Sequence, residues 1–204
     1  MSALRIPRLT IDEYITIENA ALYKSEFFDG EMFAMAGASP PHNIVRENLS
    51  AELHARLKGS GCRSVSSDQR LKVVRTGLFT YPDLLVICGP WQFDAKDPNA
   101  VINPVLIVEV LSPSTEKYDR GAKFRNYRQI PTLREYILIA QDEPICERYV
   151  RQPDDSWALT WFVGLDQSLA FAIVDASIPL TDLYAGVALT DSGDPAASPA
   201  AAAV

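Results

Sequence analysis

Pro104-Val-Leu-Ile-Val-Glu-Val-Leu111 is apolar on both of its alternating faces, the pattern of a strand covered on two sides. One residue breaks the run. Glu109 shares a face with Val105, Ile107 and Leu111, where an ionised carboxylate is costly unless it is paired or binds a cation. The stretch therefore predicts a central sheet strand and, with it, a partner for Glu109.

Upstream, Asp83 opens a second apolar run, Leu84-Leu-Val-Ile-Cys88, with Pro82 at the strand-start position that a sheet tolerates. Further back, Phe27-Phe-Asp-Gly-Glu-Met-Phe33 places an Asp-Gly turn between apolar runs, a strong hairpin signal. Glu31 alternates with Phe33 and Met35 on that hairpin. It reads either as a third acid on an apolar face or as a plain hairpin-edge residue.

The remaining elements follow from local signals. Thr10-Ile-Asp-Glu13 has capping-box spacing, with Leu9 and Tyr14 as its staple, and predicts a helix from Ile11. Ser39 and Pro40 start a second helix, whose Val45, Leu49, Leu53 and Leu57 recur at helical spacing to about Lys58, before Gly59 and Gly61. Strands are expected over Arg63–Val74, Tyr81–Cys88 and Val105–Leu111. Ser112-Pro-Ser114 then begins a helix to about Gln129 that Pro131 stops, followed by strands over Glu135–Ala140, Ile145–Arg151, Trp157–Val163 and Leu169–Val174, and a helical turn near Thr181–Tyr184. The fold class is α/β with a mixed (α+β) sheet. Residues 1–188 are expected to form one domain and 189–204 a disordered Ala/Ser/Pro tail without periodicity.

Composition narrows the function. The 204 residues are 48% hydrophobic and 22% charged, as in ordinary globular chains. No apolar run approaches the length of a membrane helix and no secretory signal opens the chain, so a cytoplasmic protein without a membrane partner is expected. Cys62, Cys88 and Cys146 are odd in number and far apart, with no C-x-x-C pair, and read as buried or incidental thiols in a reducing compartment. A net charge of −7 argues against coating nucleic acid by bulk electrostatics. The balance inverts locally: between Lys117 and Arg134 stand Lys117, Arg120, Lys123, Arg125, Arg128 and Arg134 against Asp119 alone.

Asp83, Glu109 and Glu31 are the candidate metal ligands. Oxygen donors suit Mg²⁺ or Mn²⁺, and Mg²⁺ takes one or two carboxylates with waters and substrate phosphates. Lys123 follows the Glu109 strand on the next helix and is the nearest candidate cation for chemistry; its simpler reading is an i,i+4 surface pair with Asp119. Lys117 and Arg120 are candidate phosphate contacts or part of a solvated face. His42, in register with Val45 and Leu49, reads as a packed histidine or a substrate contact. Nucleotide-binding glycine loops and a G-x-S-x-G elbow do not occur.

The ordered set of Asp29-Gly-Glu31, the helix near Ser39 and His42, Tyr81-Pro-Asp83, Val108-Glu-Val-Leu-Ser-Pro-Ser-Thr115, Asp119-Arg120, Lys123 and Pro131-Thr-Leu-Arg-Glu-Tyr136 resembles the Uma-type family of restriction-endonuclease-like proteins, over about residues 9–185. That family looks like a branch of the PD-(D/E)xK nucleases. The resemblance implies a restriction-endonuclease-like core, a central mixed sheet flanked by helices, and Mg²⁺-dependent hydrolysis of DNA by a homodimer. It gives Asp83, Glu109 and the carbonyl of Val110 as metal ligands, with Glu31 as the upstream acid. Leu111 departs from the pattern, because it stands where the motif has lysine. Lys123 would have to supply the ammonium from another direction. Two other readings stay open: a non-catalytic interaction module on the nuclease fold, and a glycosidase-like carboxylate pair.

Overall fold

Thr10 opens the first helix as its spacing predicts. The computed structural model describes residues 8–189. Thr10 Oγ1 accepts the Glu13 N–H while the Glu13 carboxylate accepts the Thr10 N–H, closing the capping box of α1 (Ile11–Ala20). Such a cap contributes about 1 kcal/mol. The buried Tyr14 ring stacks on Phe27 at 4.7 Å. Strands β1 (Ser25–Phe28) and β2 (Glu31–Ala34) follow, joined by Asp29 and Gly30 at φ 50° and 82°, the left-handed pair that a two-residue hairpin turn requires.

Helix α2 (Pro40–Arg56) is capped by Ser39 and buries Val45, Leu49 and Leu53. Next come β3 (Cys62–Ser66), β4 (Arg70–Val73), β5 (Leu78–Thr80), β6 (Leu84–Cys88), β7 (Ala100–Val101) and β8 (Leu106–Leu111). Short α3 (Glu116–Tyr118) runs into a π-helical turn (Asp119–Lys123) and then α4 (Phe124–Tyr127). The chain continues with β9 (Glu135–Ala140), β10 (Ile145–Arg151), β11 (Trp157–Val163), β12 (Ser168–Ala170), β13 (Ser177–Pro179) and α5 (Leu180–Leu183).

The strands form a six-stranded sheet ordered β11-β10-β9-β8-β6-β3, a five-stranded sheet ordered β2-β1-β5-β4-β7, and the β12-β13 ribbon. In the larger sheet β8 and β9 are parallel and their other neighbours antiparallel, so the mixed α+β class holds. Both faces of β8 are covered, as its unbroken apolar pattern demands. Leu106, Val108 and Val110 pack with α2 on one side. Ile107 and Leu111 pack with Tyr127, Tyr136 and Leu71 on the other.

Four expectations are corrected. The single strand over 63–74 is two strands in different sheets, because the chain turns at Ser66, whose carbonyl accepts the N–H groups of Asp68 and Gln69. The helix over 112–129 is interrupted: it begins at Glu116 and its middle widens into the π turn. The strand over 169–174 ends at Ala170, and its partner is β13. Cys62 lies opposite Cys88 across β3–β6 and is joined to it as a disulfide, where unpaired thiols were expected; spacing along the chain carries no information on cross-strand register. Cys146 is a free, buried thiol. The expected tail lies outside the described residues apart from Leu189. Among the described residues no helix is long and apolar enough to cross a membrane.

Candidate metal and catalytic site

The β6–β8 register pairs Leu84 with Val108, which carries Asp83, one residue before β6, to the side of Glu109. The two acids then hold each other's strands. The Asp83 N–H donates to Glu109 Oε2 at 3.3 Å, and the Val110 N–H donates to Asp83 Oδ2 at 2.8 Å. Both carboxylates sit where β6 and β8 meet the helical segment.

Glu109 is buried and twice engaged at Oε1, by the Tyr127 hydroxyl at 2.7 Å and by Lys123 Nζ at 2.9 Å. Lys123 also stands 3.3 Å from Asp119 Oδ1 and 3.5 Å from Glu26 Oε1. The π turn turns both Asp119 and Lys123 inward, and such wide turns recur at functional sites. The surface i,i+4 pair offered as the simpler reading of Lys123 is thus replaced by a buried cluster. Glu26 completes it, accepting hydrogen bonds from Thr80 Oγ1 and, at 2.9 Å, from the Tyr118 hydroxyl.

His42 reaches the same place from the first turn of α2, its Nε2 3.2 Å from Asp83 Oδ2. Its Nδ1 is buried without a hydrogen-bond partner among the described residues. Asp83, though burial pushes its pKa up, is held below the ordinary carboxylate value by the hydrogen bond and charge of His42 and by the Val110 N–H. Burial raises the Glu109 pKa to about 8; Asp119 and Asp83 add to that rise and Lys123 opposes it. Burial alone would lower the Lys123 pKa, but Glu109, Asp119 and Glu26 raise it well above its usual value. Proton affinity is thus raised at Lys123, Glu109 and Asp119.

The donor set fits a hard cation. Glu26, Asp83, Glu109 and Asp119 surround the ammonium of Lys123, leaving excess negative charge in a largely buried site that Asp83 opens to solvent. Burial foremost, and then the charge of Asp119 and Asp83, raise the proton affinity of Glu109. Among the described residues no three His, Cys, Asp or Glu side chains are grouped to enclose an ion. Asp83 and Glu109 would instead serve as the one or two carboxylates that Mg²⁺ takes alongside water and substrate oxygens.

Other expected site residues are placed differently. Glu31 is exposed on the outer strand β2, and among the described residues no contact joins it to the cluster; the acid that meets Lys123 from the hairpin is Glu26, on β1. The interaction seen for Val110 is through its N–H rather than the carbonyl expected as a ligand. Arg120 is committed to Glu116 and the buried Glu147, an ion pair that ties the π turn to β10. Lys117 is exposed. Leu111 is buried in the apolar core. Glu26 and Tyr127 were missed. The only trace of Glu26 was a lone acid in Ser25-Glu-Phe-Phe28, and Tyr127 looked like any apolar helix position.

Comparison with known proteins bears on the family and the fold. The model of the Uma2 family, described as "Putative restriction endonuclease", matches residues 11–180. Two proteins of Synechocystis sp., both described as uncharacterized, are similar over most of their length. One, slr1290, is 35% identical over 182 residues, 89% of this chain and 94% of its own. The other, sll1609, is 39% identical over 166 residues, 81% of this chain and 94% of its own. The fold is shared with the crystal structure of a "putative nuclease belonging to DUF820" from Anabaena variabilis, at TM-score 0.70 and 17% identity, covering 86% of this chain and 97% of that one.

Proposed function

The chain belongs to the Uma2 family, and on that premise we propose that it is a metal-dependent endonuclease hydrolysing DNA phosphodiester bonds, with Mg²⁺ or Mn²⁺ held by Asp83 and Glu109. The observation that carries this reading is the 2.9 Å contact between Lys123 and Glu109 beside Asp83. It supplies, from the following helical segment, the ammonium that Leu111 cannot provide.

Asp83 and Glu109 would hold a divalent cation, which would supply an activated water and stabilise charge on the phosphate. The protein's own groups do the rest. Asp83, kept ionised by His42, and Glu109 orient the site. Lys123 Nζ remains protonated and offers its N–H donors where negative charge develops on the reacting phosphate. Tyr127 and the Asp83 N–H fix the Glu109 carboxyl, so that it does not reorganise during reaction. Glu26, Tyr118 and Thr80 hold the far side of the Lys123 pocket. His42 is a positioning residue in this scheme.

The test is cleavage of supercoiled plasmid with Mg²⁺ or Mn²⁺. Activity is expected for the native chain and none for Asp83→Ala; equal activity in the variant would overturn the assignment. Two copies would allow both strands to be cut. The edge strand β11 supports pairing, since Leu159, Trp161 and Val163 are exposed along one face of it, and sedimentation would measure the association.

One observation favours a second reading, a nuclease fold kept for binding alone. Leu111 is locked into the core, and Lys123 is already shared among three carboxylates. Calorimetric titration with Mn²⁺ separates the two readings: binding lost in Glu109→Gln supports the enzyme, whereas no binding by the native chain supports the module.

A further inference from the structure

One cavity lies apart from the acidic cluster. It is an open groove of about 600 Å³, and Arg75, Arg128, Arg134 and Arg151 line it together with Trp157 and Asp155. These arginines come from four separate segments: the β4–β5 turn, the end of α4, the start of β9 and the end of β10. Their convergence is therefore a product of the fold. In a chain of net charge −7 such a gathering of like charge is unfavourable without an anion to share.

The charges are mostly uncommitted. Arg75, Arg128 and Arg134 are exposed side chains. Arg128 lies over the Phe124 ring at 5.2 Å and Arg151 over Trp157 at 5.1 Å, contacts that hold guanidinium planes in fixed attitudes. Arg151 is nearly buried: it donates to the carbonyls of Arg128, Ile130 and Pro131, but its buried Nε has no hydrogen-bond partner among the described residues. Its pKa is lowered, by burial foremost and by the neighbouring charge of Arg134. The one acid in the lining, Asp155, is almost wholly exposed and 3.8 Å from that Nε.

We propose that this groove binds the sugar–phosphate backbone of a nucleic acid, with Arg128 and Arg134 as its outer phosphate contacts and Arg151 with Trp157 as its floor. An open, arginine-lined trough suits a chain of phosphodiesters, since arginine pairs with phosphate oxygens through two parallel N–H donors. The groove also stands in a useful place. Arg128 follows Lys123 on the same helical segment, roughly 7 Å along its axis at the usual rise per residue. The Arg134 N–H donates to the Val105 carbonyl, so the groove borders the start of β8, roughly 13 Å along that strand from Glu109. The inference deepens the nuclease reading and rests on it for the choice of DNA as probe.

The experiment measures binding of a short fluorescein-labelled DNA duplex to the full chain in EDTA, so that neither metal nor cleavage enters, over a series of salt concentrations. The Arg128→Gln/Arg134→Gln double variant is expected to bind about tenfold more weakly or worse, with a log–log salt slope smaller by roughly 2. Mn²⁺ affinity is expected to be unchanged. Arg134→Glu alone, at an exposed position, provides a second variant with a larger loss expected. Native-like affinity and slope in both variants would overturn the proposal, as would absence of duplex binding by the native chain. Competition by free phosphate as effective as competition by unlabelled duplex would also overturn it, in favour of a small-anion site. Binding through the groove with no plasmid cleavage under Mg²⁺ or Mn²⁺ would leave this proposal standing and remove the nuclease reading instead.

Discussion

The ammonium of Lys123 stands 2.9 Å from Oε1 of Glu109, two groups carried by different elements and both withdrawn from solvent. Neither would be tolerated there alone, because an isolated buried charge costs several kcal/mol. Their pairing lets a β-strand carry a carboxylate inside an apolar sheet, and several measurable consequences follow from it.

Removing the ammonium by Lys123→Met leaves Glu109, Asp119 and Glu26 without their shared partner. Stability at neutral pH is expected to fall by about 3–5 kcal/mol, the usual cost of breaking a buried pair. Lowering the pH protonates the carboxylates and should narrow the difference. Urea unfolding at neutral and acidic pH measures both, and a variant as stable as the parent throughout would show that the cluster is not held by Lys123.

Burial pushes the Glu109 pKa up to about 8, from the 4.5 ordinary for a glutamate. A carboxyl whose pKa rises on folding binds more protons in the folded than in the unfolded chain between those values. Its contribution to stability is therefore lost as pH rises across that window. A bound cation must displace the same proton, so apparent Mn²⁺ affinity should climb with pH and level off above about 8, by at most about tenfold per unit for one proton. Calorimetry across that range reads the slope; a flat profile would place the metal away from Glu109.

His42→Ala removes the hydrogen bond that holds Asp83 ionised. Burial then dominates and the Asp83 pKa should rise, because desolvation is the largest influence on it. The acidic limb of the cleavage pH profile is expected to move to higher pH, with the rate above it less affected. Carboxyl-carbon NMR titration of Asp83 follows the group directly. Superimposable titration curves for parent and variant would deny His42 this positioning role.

Installing the motif lysine by Leu111→Lys should not create a better enzyme. Leu111 is 5% exposed among Tyr127, Tyr136 and Ile107, so a second ammonium would be buried with no acid reserved for it. A loss of about 3 kcal/mol is expected on chemical unfolding. A stable variant with raised activity would mean that the pocket accepts the lysine from the strand after all.

Reducing the Cys62–Cys88 disulfide, which spans 26 residues, should lower stability by about 3 kcal/mol on loop-entropy grounds. The Cys62→Ser/Cys88→Ser variant should reproduce the loss with unchanged Mn²⁺ affinity. The bond lies where β3 meets β6, and no contact connects it to Glu109. A fall in metal affinity on reduction would reveal coupling between the sheet edge and the cluster.

Much of this molecule was legible in local pattern. The Thr10–Glu13 capping box, the Asp29-Gly30 hairpin, the leucine spacing of α2 and the double-faced apolarity of β8 each depend on neighbours within a few residues, and each appears where it was expected. The burial of Glu109 and its need for a partner were readable for the same reason. A charge in an apolar strand violates a local rule, and such violations collect at sites.

Local pattern alone yields the set of elements and the two acids, Asp83 and Glu109, that break their apolar runs. Long-range packing brings Glu26 rather than Glu31 to the Lys123 cluster, turns Lys123 inward while Arg120 is bound to Glu147, joins Cys62 to Cys88, and gathers four scattered arginines in one groove. Periodicity fixes which way a side chain faces on its own element. Sheet register, strand order and the widened π turn fix what it meets across the gap. Those depend on contacts between residues far apart in the chain, which no local spacing encodes.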